Sequence, residues 1–448
     1  MIDQMRSRIL EWDWRLFSFI ILFLGLPNVY QLYRVRLIGN EIPDSGSLAI
    51  VSQWQFVGLV VEVFQEASVL AIFFFLGSQL GRGRIVQLDR AKSVMSIIFV
   101  ASLIFSIGIF LFRDQFITLI GTSDEIQAQT RSFLGINIFS VPFSLLAAAI
   151  VVLFQSLRMR RYVFLMAIVN VALQFALDSL LFGGYAFSLD AGVIGVGWST
   201  LLSSAGLFAV GLILLILDRG VSTEMLATLP TFADMKDYLR VGLGSGTDSL
   251  VRNVAYFVMI VRIVNTIGSE EIGGYYLAIQ VLWSFMLVPV LALADTTKAL
   301  VANSAHDIPR VRILWYTSMG ITACMILIWL ALVPLFPSFA NFLSDDETTV
   351  SWAITAFSLL FVPYVLFCFN TVSDGVFYGV GQTKFMAYQS LLTNGTVYLV
   401  GFVLYALGIW EPTFQSVMLL FSLGILVDSI LTILFLLKVL YLDTTDRL

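Results

Sequence analysis

The chain has 448 residues, 59% of them apolar, 14% aromatic and only 12% charged. Soluble globular chains carry about 25% charged residues, so this composition excludes a soluble enzyme, a nucleic-acid binder and a disordered chain. The net charge of −5 is diluted over a large surface and says less than the places where the charges sit.

A spanning helix needs about 20 residues, and apolar segments alternate with short polar breaks along the whole chain. Met1 to Trp14 mixes acid and base without an apolar core, so it reads as an interfacial helix or polar tail and not as a signal peptide. Spans are predicted at about 15–38, 48–80, 93–113, 128–157, 162–183, 191–217, 242–267, 274–304, 311–336, 350–380, 385–409 and 413–438. No stretch alternates as a strand would, and lipid admits only helices or closed barrels. The fold class expected is therefore an all-α membrane protein with twelve transmembrane helices.

Charge placement supports that count. Eighteen of the 25 Lys and Arg residues fall in one set of ends and loops, two (Arg113 and Arg131) in the opposite set, and five (Arg34, Arg36, Arg252, Arg262, Lys298) within spans. The opposite loops are acidic, with Glu41, Asp44, Asp124, Glu125, Glu270, Glu271, Asp345, Asp346, Glu347 and Glu411. Positive loops stay in the cytoplasm, which predicts an even number of spans, both termini cytoplasmic and a location in the cytoplasmic (inner or plasma) membrane.

The two halves repeat. Thr122-Ser123-Asp124-Glu125 recurs as Leu343-Ser344-Asp345-Asp346, and Val141-Pro142 recurs as Val362-Pro363, with 19 residues from serine to proline in both copies. This predicts an amino-terminal six-helix lobe over 1–218, a cytoplasmic linker over 219–240 and a carboxy-terminal six-helix lobe over 241–448. Six is even, so the lobes share an orientation and are related by a pseudo-twofold axis along the membrane normal, an arrangement known in transporters. Pro142 and Pro363 are expected to bend their spans in both halves.

Several strings then carry a resemblance. They are Leu76-Gly77-Ser78-Gln79-Leu80-Gly81 at the end of span 2, Asn170 through Asp178 in span 5, and Gly192 through Thr200 opening span 6. Gly242-Leu243-Gly244 opens span 7, and Tyr378-Gly379-Val380-Gly381-Gln382-Thr383-Lys384 follows span 10. In this order and spacing, with twelve spans in a 6+6 duplication, they resemble the multidrug and toxic-compound extrusion (MATE) family. That family lies within the multidrug/oligosaccharidyl-lipid/polysaccharide flippase superfamily. The resemblance implies a two-lobe exporter that works by alternating access, driven by inward sodium or proton flow, often with amphipathic organic cations as cargo.

Ionisable groups inside spans are expensive and mark ion paths or substrate sites by default. Gln31, Glu62, Glu66, Asp178 and Thr200 lie at one depth, roughly 22–29 Å from the cytoplasmic end of their spans. Glu62 and Glu66 share a helix face, as do Asn170, Gln174 and Asp178. Carboxylates, amide oxygens and a hydroxyl at one level suit a sodium ion, and a proton needs only one carboxylate. By resemblance, Asp178 and Thr200 match positions of the family's amino-lobe cation site. Gln174 stands where that site usually has asparagine, and Gln31 where span 1 usually has a second aspartate. The other reading is structural: these acids neutralise Arg34 and Arg36.

A second set lies nearer the cytoplasmic ends of spans 7, 8, 10 and 12: Asp248, Arg252, Asp295, Lys298, Asp374 and Asp428. Asp248 with Arg252, and Asp295 with Lys298, have helical pairing spacings. The set reads as a closed ion-pair network, or as a second titratable site with Asp374 or Asp428 as the unpaired proton carrier. Arg252 falls near where some family members have glutamate.

Trp54, Tyr256, Tyr275, Tyr276, Trp283 and Phe285 could line a cleft by stacking and cation–π contact, although packing explains them as well. Cys324 and Cys368 lie in apolar stretches, which disfavours a disulfide or a metal site, and His306 reads as a solvated loop residue. No Walker-type Gly-Lys-Ser/Thr appears, so an ion gradient or a downhill cargo must supply energy. No nucleophile–base set marks an enzyme.

The function expected is a secondary antiporter that exports small amphipathic organic compounds, drug-like and in some cases cationic, in exchange for H+ or Na+. It needs no cofactor and no metal beyond a possible Na+ at Asp178. Its partners are a small-molecule substrate and membrane lipid, with no nucleic acid, and the chain is expected to be a monomer. The alternatives are a flippase for lipid or lipid-linked anionic headgroups, which would employ Arg34, Arg36, Arg252 and Arg262, and a channel-like or receptor protein.

Overall fold

The computed structural model describes residues 12–42, 46–65, 67, 84–156, 159–217, 249–250, 253–302, 304, 307–382 and 384–442. Among these residues every regular element is a helix. Apart from a short helix at Arg113–Ile120, twelve helical stretches follow one another. They are α1 Trp14–Asn40, α2 Ser47–Phe64, α3 Arg84–Leu111, α4 in two pieces (Gln127–Asn137 and Ser140–Ser156), α5 Arg160–Leu181 and α6 Gly192–Leu217. After them come α7 Asn253–Ile267, α8 Ser269–Val301, α9 Ile308–Leu343, α10 Glu347–Val380, α11 (Lys384–Thr393 running through a π turn into Leu399–Ala406) and α12 Phe414–Leu437.

Each stretch falls on one of the twelve expected spans. Nine of the described helices are long and apolar enough to cross a membrane, and ten when the bent α4 counts as one span. The chain is a multi-pass membrane protein. α11 falls outside that count because Gln389, Ser390 and Asn394 interrupt its apolar run.

The chain packs as two units. One gathers Met1–Val35 with Glu270–Leu448 (the carboxy unit), and the other comprises Arg36–Ser269 (the amino unit). The sequence repeat divides the chain by order, whereas these units divide it by contact, and the expected linker over 219–240 lies outside the described residues. Polar contacts explain the membership of two helices. α7 is tied into the amino unit by Asn253, whose amide donates to Leu59 O at 3.0 Å, and by Asn265, whose amide donates to Ile120 O at 2.8 Å. The part of α1 up to Val35 is tied into the carboxy unit through Gln31, which hydrogen-bonds the Tyr276 hydroxyl of α8.

In the amino unit α6 packs against α5 and α4. In the carboxy unit α10 packs most extensively on α12 and α8. Gly375 of α10 makes the second contact possible: a Cβ there would lie 2.7 Å from the Ala294 carbonyl oxygen of α8. Small residues let backbones approach where lipid supplies no hydrophobic drive between helices.

The repeated acidic string acts at a helix start. Asp346 is the N-cap of α10, and its carboxylate accepts from the backbone N–H of Thr348 at 3.2 Å and of Thr349 at 3.4 Å. An anion at this end also meets the positive pole of the helix dipole. The first copy precedes α4, where Gln127 donates to Asp124 at 3.3 Å.

The repeated prolines sit in different settings. α4 is broken just before Pro142, with a 42° bend, whereas α10 runs through Pro363 as one 34-residue helix. The expected break therefore appears in the first repeat, where proline stands near the start of a helical piece. What the repeats share is the repair of the damage. Proline has no N–H, so the carbonyl four residues earlier loses its donor. For Pro142 that carbonyl belongs to Ile138, which accepts from the Val141 N–H at 3.2 Å in a tighter turn and from the Ser106 hydroxyl of α3 at 2.9 Å. For Pro363 it belongs to Leu359. The Ser422 hydroxyl of α12 lies 3.2 Å from this oxygen and 2.8 Å from Met418 O in its own helix. Neighbouring serines supply the donor that water cannot supply in hydrocarbon.

We expect Ser106→Ala and Ser422→Ala each to lower unfolding free energy by about 0.5–1.7 kcal/mol, the range of interhelical hydrogen bonds in membranes. Thermal melts of the purified protein measure this. The cost of Ser422→Ala should shrink in a Pro363→Ala background, where Leu359 regains a backbone donor; equal costs in both backgrounds would refute the assignment.

Candidate functional site

α5 carries Asn170, Gln174 and Asp178 at successive four-residue steps, hence along one face. Asp178 lies in the last turn, and its backbone carbonyl caps Phe182 N at 3.0 Å. The chain then folds back on the end of α5. Leu189 N bonds Leu180 O, and Ala191 N bonds Leu181 O, both at 2.8 Å. These two bonds seat the start of α6 beside the last turn of α5. A Cβ at Gly195 would stand 3.1 Å from Leu181 O, so glycine is what fits there.

Seven residues into α6, Ser199 then faces Asp178, and its hydroxyl donates to Asp178 Oδ1. Both side chains are 0% exposed. A carboxylate in the last turn of a helix lies in the negative half of the helix dipole, which favours a cation beside it. Buried acids of this kind are rare and mark ion paths by default.

The other residues expected around Asp178 take several places. Gln174 is half-buried on the Asp178 face of α5. Thr200 is half-buried, and its hydroxyl donates to Val196 O at 2.9 Å within its own helix. Glu62 is an exposed residue of α2. Gln31 belongs to the carboxy unit. Glu66 lies outside the described residues. Ser199, which residue type alone made no more prominent than its neighbour Thr200, is the hydroxyl that meets the acid. Its signal was position: it follows the tight Gly192–Trp198 entry into α6.

The amino unit also holds a neutral polar knot. Gln53, 0% exposed, donates to Asn265 Oδ1 at 2.8 Å and accepts from the Thr122 hydroxyl at 3.2 Å. This ties α2, the end of the Arg113–Ile120 helix and α7 together. Arg262 extends the tie by donating to Leu119 O at 2.9 Å.

In the carboxy unit the six expected charges separate. Asp248 and Arg252 lie outside the described residues. Asp295 and Lys298 are exposed on α8 and feel each other electrostatically, but they close no salt bridge among the described residues; the Lys298 ammonium sits 4.8 Å from the ring centroid of Tyr378. Asp374 of α10 and Asp428 of α12 do come together, close enough to interact as charges.

Amides and a hydroxyl surround Asp428. Its Oδ2 accepts from Asn370 Nδ2 at 2.7 Å and from Gln389 Nε2 at 2.8 Å, and its Oδ1 accepts from the Thr393 hydroxyl at 3.3 Å. Three helices, α10, α11 and α12, thus converge on one carboxylate. Asn370 with Asp374, and Gln389 with Thr393, are four residues apart, a spacing that would have flagged these partners in sequence.

The expected aromatic lining mostly serves packing. Tyr275 and Tyr276 are buried in the carboxy unit, and Trp283 stacks on Phe421 at 5.6 Å. Phe285, with Trp329, Phe336 and Phe357, lines an apolar cavity of about 210 Å³ in the same unit.

Comparison with known proteins now bears on the whole chain. Residues 248–403 match the MatE family model. No curated protein is matched by the chain's sequence. A solved structure of a multidrug resistance MATE family transporter of the MOP superfamily in its inward-facing conformation superposes with a TM-score of 0.82. Identity is 17%, over 97% of this chain and 99% of that one. A MOP superfamily transporter from Pyrococcus furiosus, described as having a binding pocket of reversed polarity that suggests a different function, gives a TM-score of 0.72. Identity is again 17%, over 99% of this chain and 97% of that one. The eukaryotic MATE transporter AtDTX14 gives 0.70 at 17% identity, with 96% of each chain covered. Residues 248–403 carry a MatE domain, and the chain as a whole has the fold of MATE family transporters.

Proposed function

We propose that this protein is a secondary antiporter that exports small amphipathic organic compounds across the cytoplasmic membrane in exchange for H+ or Na+. The observation that carries the reading is Asp178: an acid with no exposed surface, in the last turn of α5, held by Ser199, in a chain with the MATE fold. A carboxylate in hydrocarbon has a high free energy unless a cation or proton neutralises it. Binding at Asp178 therefore differs in strength between conformations that open or close the path to it. That difference is the coupling free energy, since a ligand shifts an equilibrium only by its differential affinity. Gln174 and Thr200 on the same two helices supply further oxygens when the ion is Na+.

Asp178→Asn should abolish gradient-driven export from proteoliposomes while the protein stays monodisperse and thermally stable; full export by this variant would remove the assignment. Ser199→Ala should weaken coupling and leave transport measurable, because a charge-assisted hydrogen bond is worth about 1.5–3 kcal/mol.

A second reading has one observation in its favour. Arg34 of α1 is buried beside Tyr276 in the carboxy unit, and a buried cation suits an anionic headgroup. A panel of cationic, neutral and anionic amphiphiles, offered under imposed sodium and pH gradients, separates the two. Gradient-dependent movement of cationic dyes is the expected result, and movement of anionic lipid alone would favour the flippase.

A further inference from the structure

Four cations of the carboxy unit gather at one end of its helices. Val311 of α9, Phe385 of α11, and Val439 and Leu440 just past α12 pack in one buried apolar cluster. Their chain neighbours Arg310, Arg312, Lys384 and Lys438 therefore ring that cluster, whereas Glu347 opens α10 and Glu411 precedes α12 at the opposite end. Two acids share the basic end. Asp307 spends its carboxylate on capping α9, where it accepts from Arg310 N at 3.0 Å, and Asp295 interacts as a charge with Lys298. Among the described residues none of the four cations closes a salt bridge.

Arg312 is the member of this set that the fold holds in place. It is half-buried, and its Nε donates to Leu440 O at 2.8 Å while its Nη2 donates to the same oxygen. Its guanidinium carbon lies 4.1 Å from the ring centroid of Tyr441, whose hydroxyl is 2.7 Å from that of Tyr316 in α9. A carbonyl and a ring face orient a guanidinium without bringing a full negative charge, and most of its five N–H groups stay available. A cation withdrawn from water is costly unless an anion meets it. The two tyrosine rings are exposed, and exposed Leu434 and Leu437 of α12 continue the surface toward the middle of the span. Tyrosines in such a position mark the level where hydrocarbon meets headgroups. On the neighbouring side of the cluster, Lys384 and Lys438 bring ammonium groups from two helices to 5.2 and 5.9 Å from the ring centroid of Phe385. Like charges drawn to one ring call for an anion beside them.

We propose that Arg312, backed by Tyr441 and flanked by Arg310, Lys384 and Lys438, binds the phosphate of an anionic phospholipid at the rim of the carboxy unit. The planar guanidinium fork matches two phosphate oxygens, which an ammonium group cannot do. The surrounding cations supply the longer-range attraction that favours an anionic over a zwitterionic headgroup, and basic sites between spans take such lipids. The bias of positive residues toward one side of a membrane accounts for cations at this end. It does not account for one of them being gripped by a carbonyl and a ring at the height of exposed tyrosines. A bound headgroup bridges the start of α9 and the end of α12. This site is separate from Asp178 in sequence and in unit, and the proposal does not depend on the antiport reading.

The test places the purified full-length protein in nanodiscs of phosphatidylcholine, alone or with a minority of phosphatidylglycerol. Native mass spectrometry should find phosphatidylglycerol retained in preference to phosphatidylcholine. The melting temperature should be higher in the mixed discs, because a ligand of the native state stabilises it. Arg312→Gln should lower the preference about tenfold or more. Arg312→Lys, which keeps the charge and loses the fork, should lower it about threefold. Arg161→Gln removes the same charge from the start of α5 in the amino unit and should leave the preference unchanged; melting in pure phosphatidylcholine discs checks that each variant is folded. Equal retention of the two lipids by the parent protein overturns the proposal. So does a preference that Arg312→Gln and Arg161→Gln lower alike, since it would then follow total charge. Glycerol 3-phosphate that raises the melting temperature in phosphatidylcholine discs as much as phosphatidylglycerol does would assign Arg312 to a soluble phosphate and overturn the lipid site. Loss of export in Asp178→Asn with the lipid preference intact leaves this site standing; the reverse outcome removes this site and keeps the antiport reading.

Discussion

Hydrocarbon offers no hydrogen bonds, so every polar group that a span carries must be met from within the protein. That constraint accounts for most of the polar side chains in the described helices. Ser106 and Ser422 donate to carbonyls whose usual backbone donor proline removes. Gln53, Asn265 and Thr122 answer one another, with Ile120 O completing the set. Trp315 is buried in the carboxy unit and gives its indole N–H to Ser373 at 3.2 Å. These groups are neutral, and they hold helices together. The two acid clusters differ in that their acids can carry a charge. Asp178 is buried whole and accepts from the Ser199 hydroxyl, and Asp428 accepts from Asn370, Gln389 and Thr393.

The helical scaffold was legible in sequence because its cause is simple. Apolar runs of span length, an asymmetric distribution of Arg and Lys, and a repeated Ser-Asp-acid string determine the number, order and starts of the helices. The twelve stretches coincide with the expected spans to within a few residues at most ends. Packing partners were less legible. The assignment of α1 and α7 to units depends on Gln31 reaching Tyr276 and Asn265 reaching Ile120, and such contacts join residues far apart in the chain. Periodicity reports which face a residue is on, and it does not report what that face meets.

The candidate sites were half legible for the same reason. Acids within apolar runs stand out, and Asp178, Asp374 and Asp428 were found that way. Their partners are Ser199, Asn370, Gln389 and Thr393, residue types common in every span, and only three-dimensional neighbourhood sets them apart. Gln31 shares its depth with Asp178, and the sequence repeat assigns span 1 to the amino-terminal lobe. Packing grouped α1 with the carboxy helices, and a shared height carries no information about which bundle a helix joins.

The two repeats diverge in an instructive way. Both keep a proline at the same distance from the acidic string, and both keep a serine on a neighbouring helix that repairs the exposed carbonyl. The serines come from different places in each half: Ser106 precedes its proline in the chain and Ser422 follows its own. The device is therefore matched in physics without being matched in position, as expected when the selecting force is an unsatisfied carbonyl in lipid and any nearby hydroxyl will do. The acid sites show no such convergence. One lies at the far end of α5 with a serine donor, and the other lies near the basic ends of α10–α12 with amide donors. Backbone chemistry is the same in both halves, so scaffold repairs recur. The acids of the two halves have different neighbours, a serine beside Asp178 and amides with a threonine around Asp428.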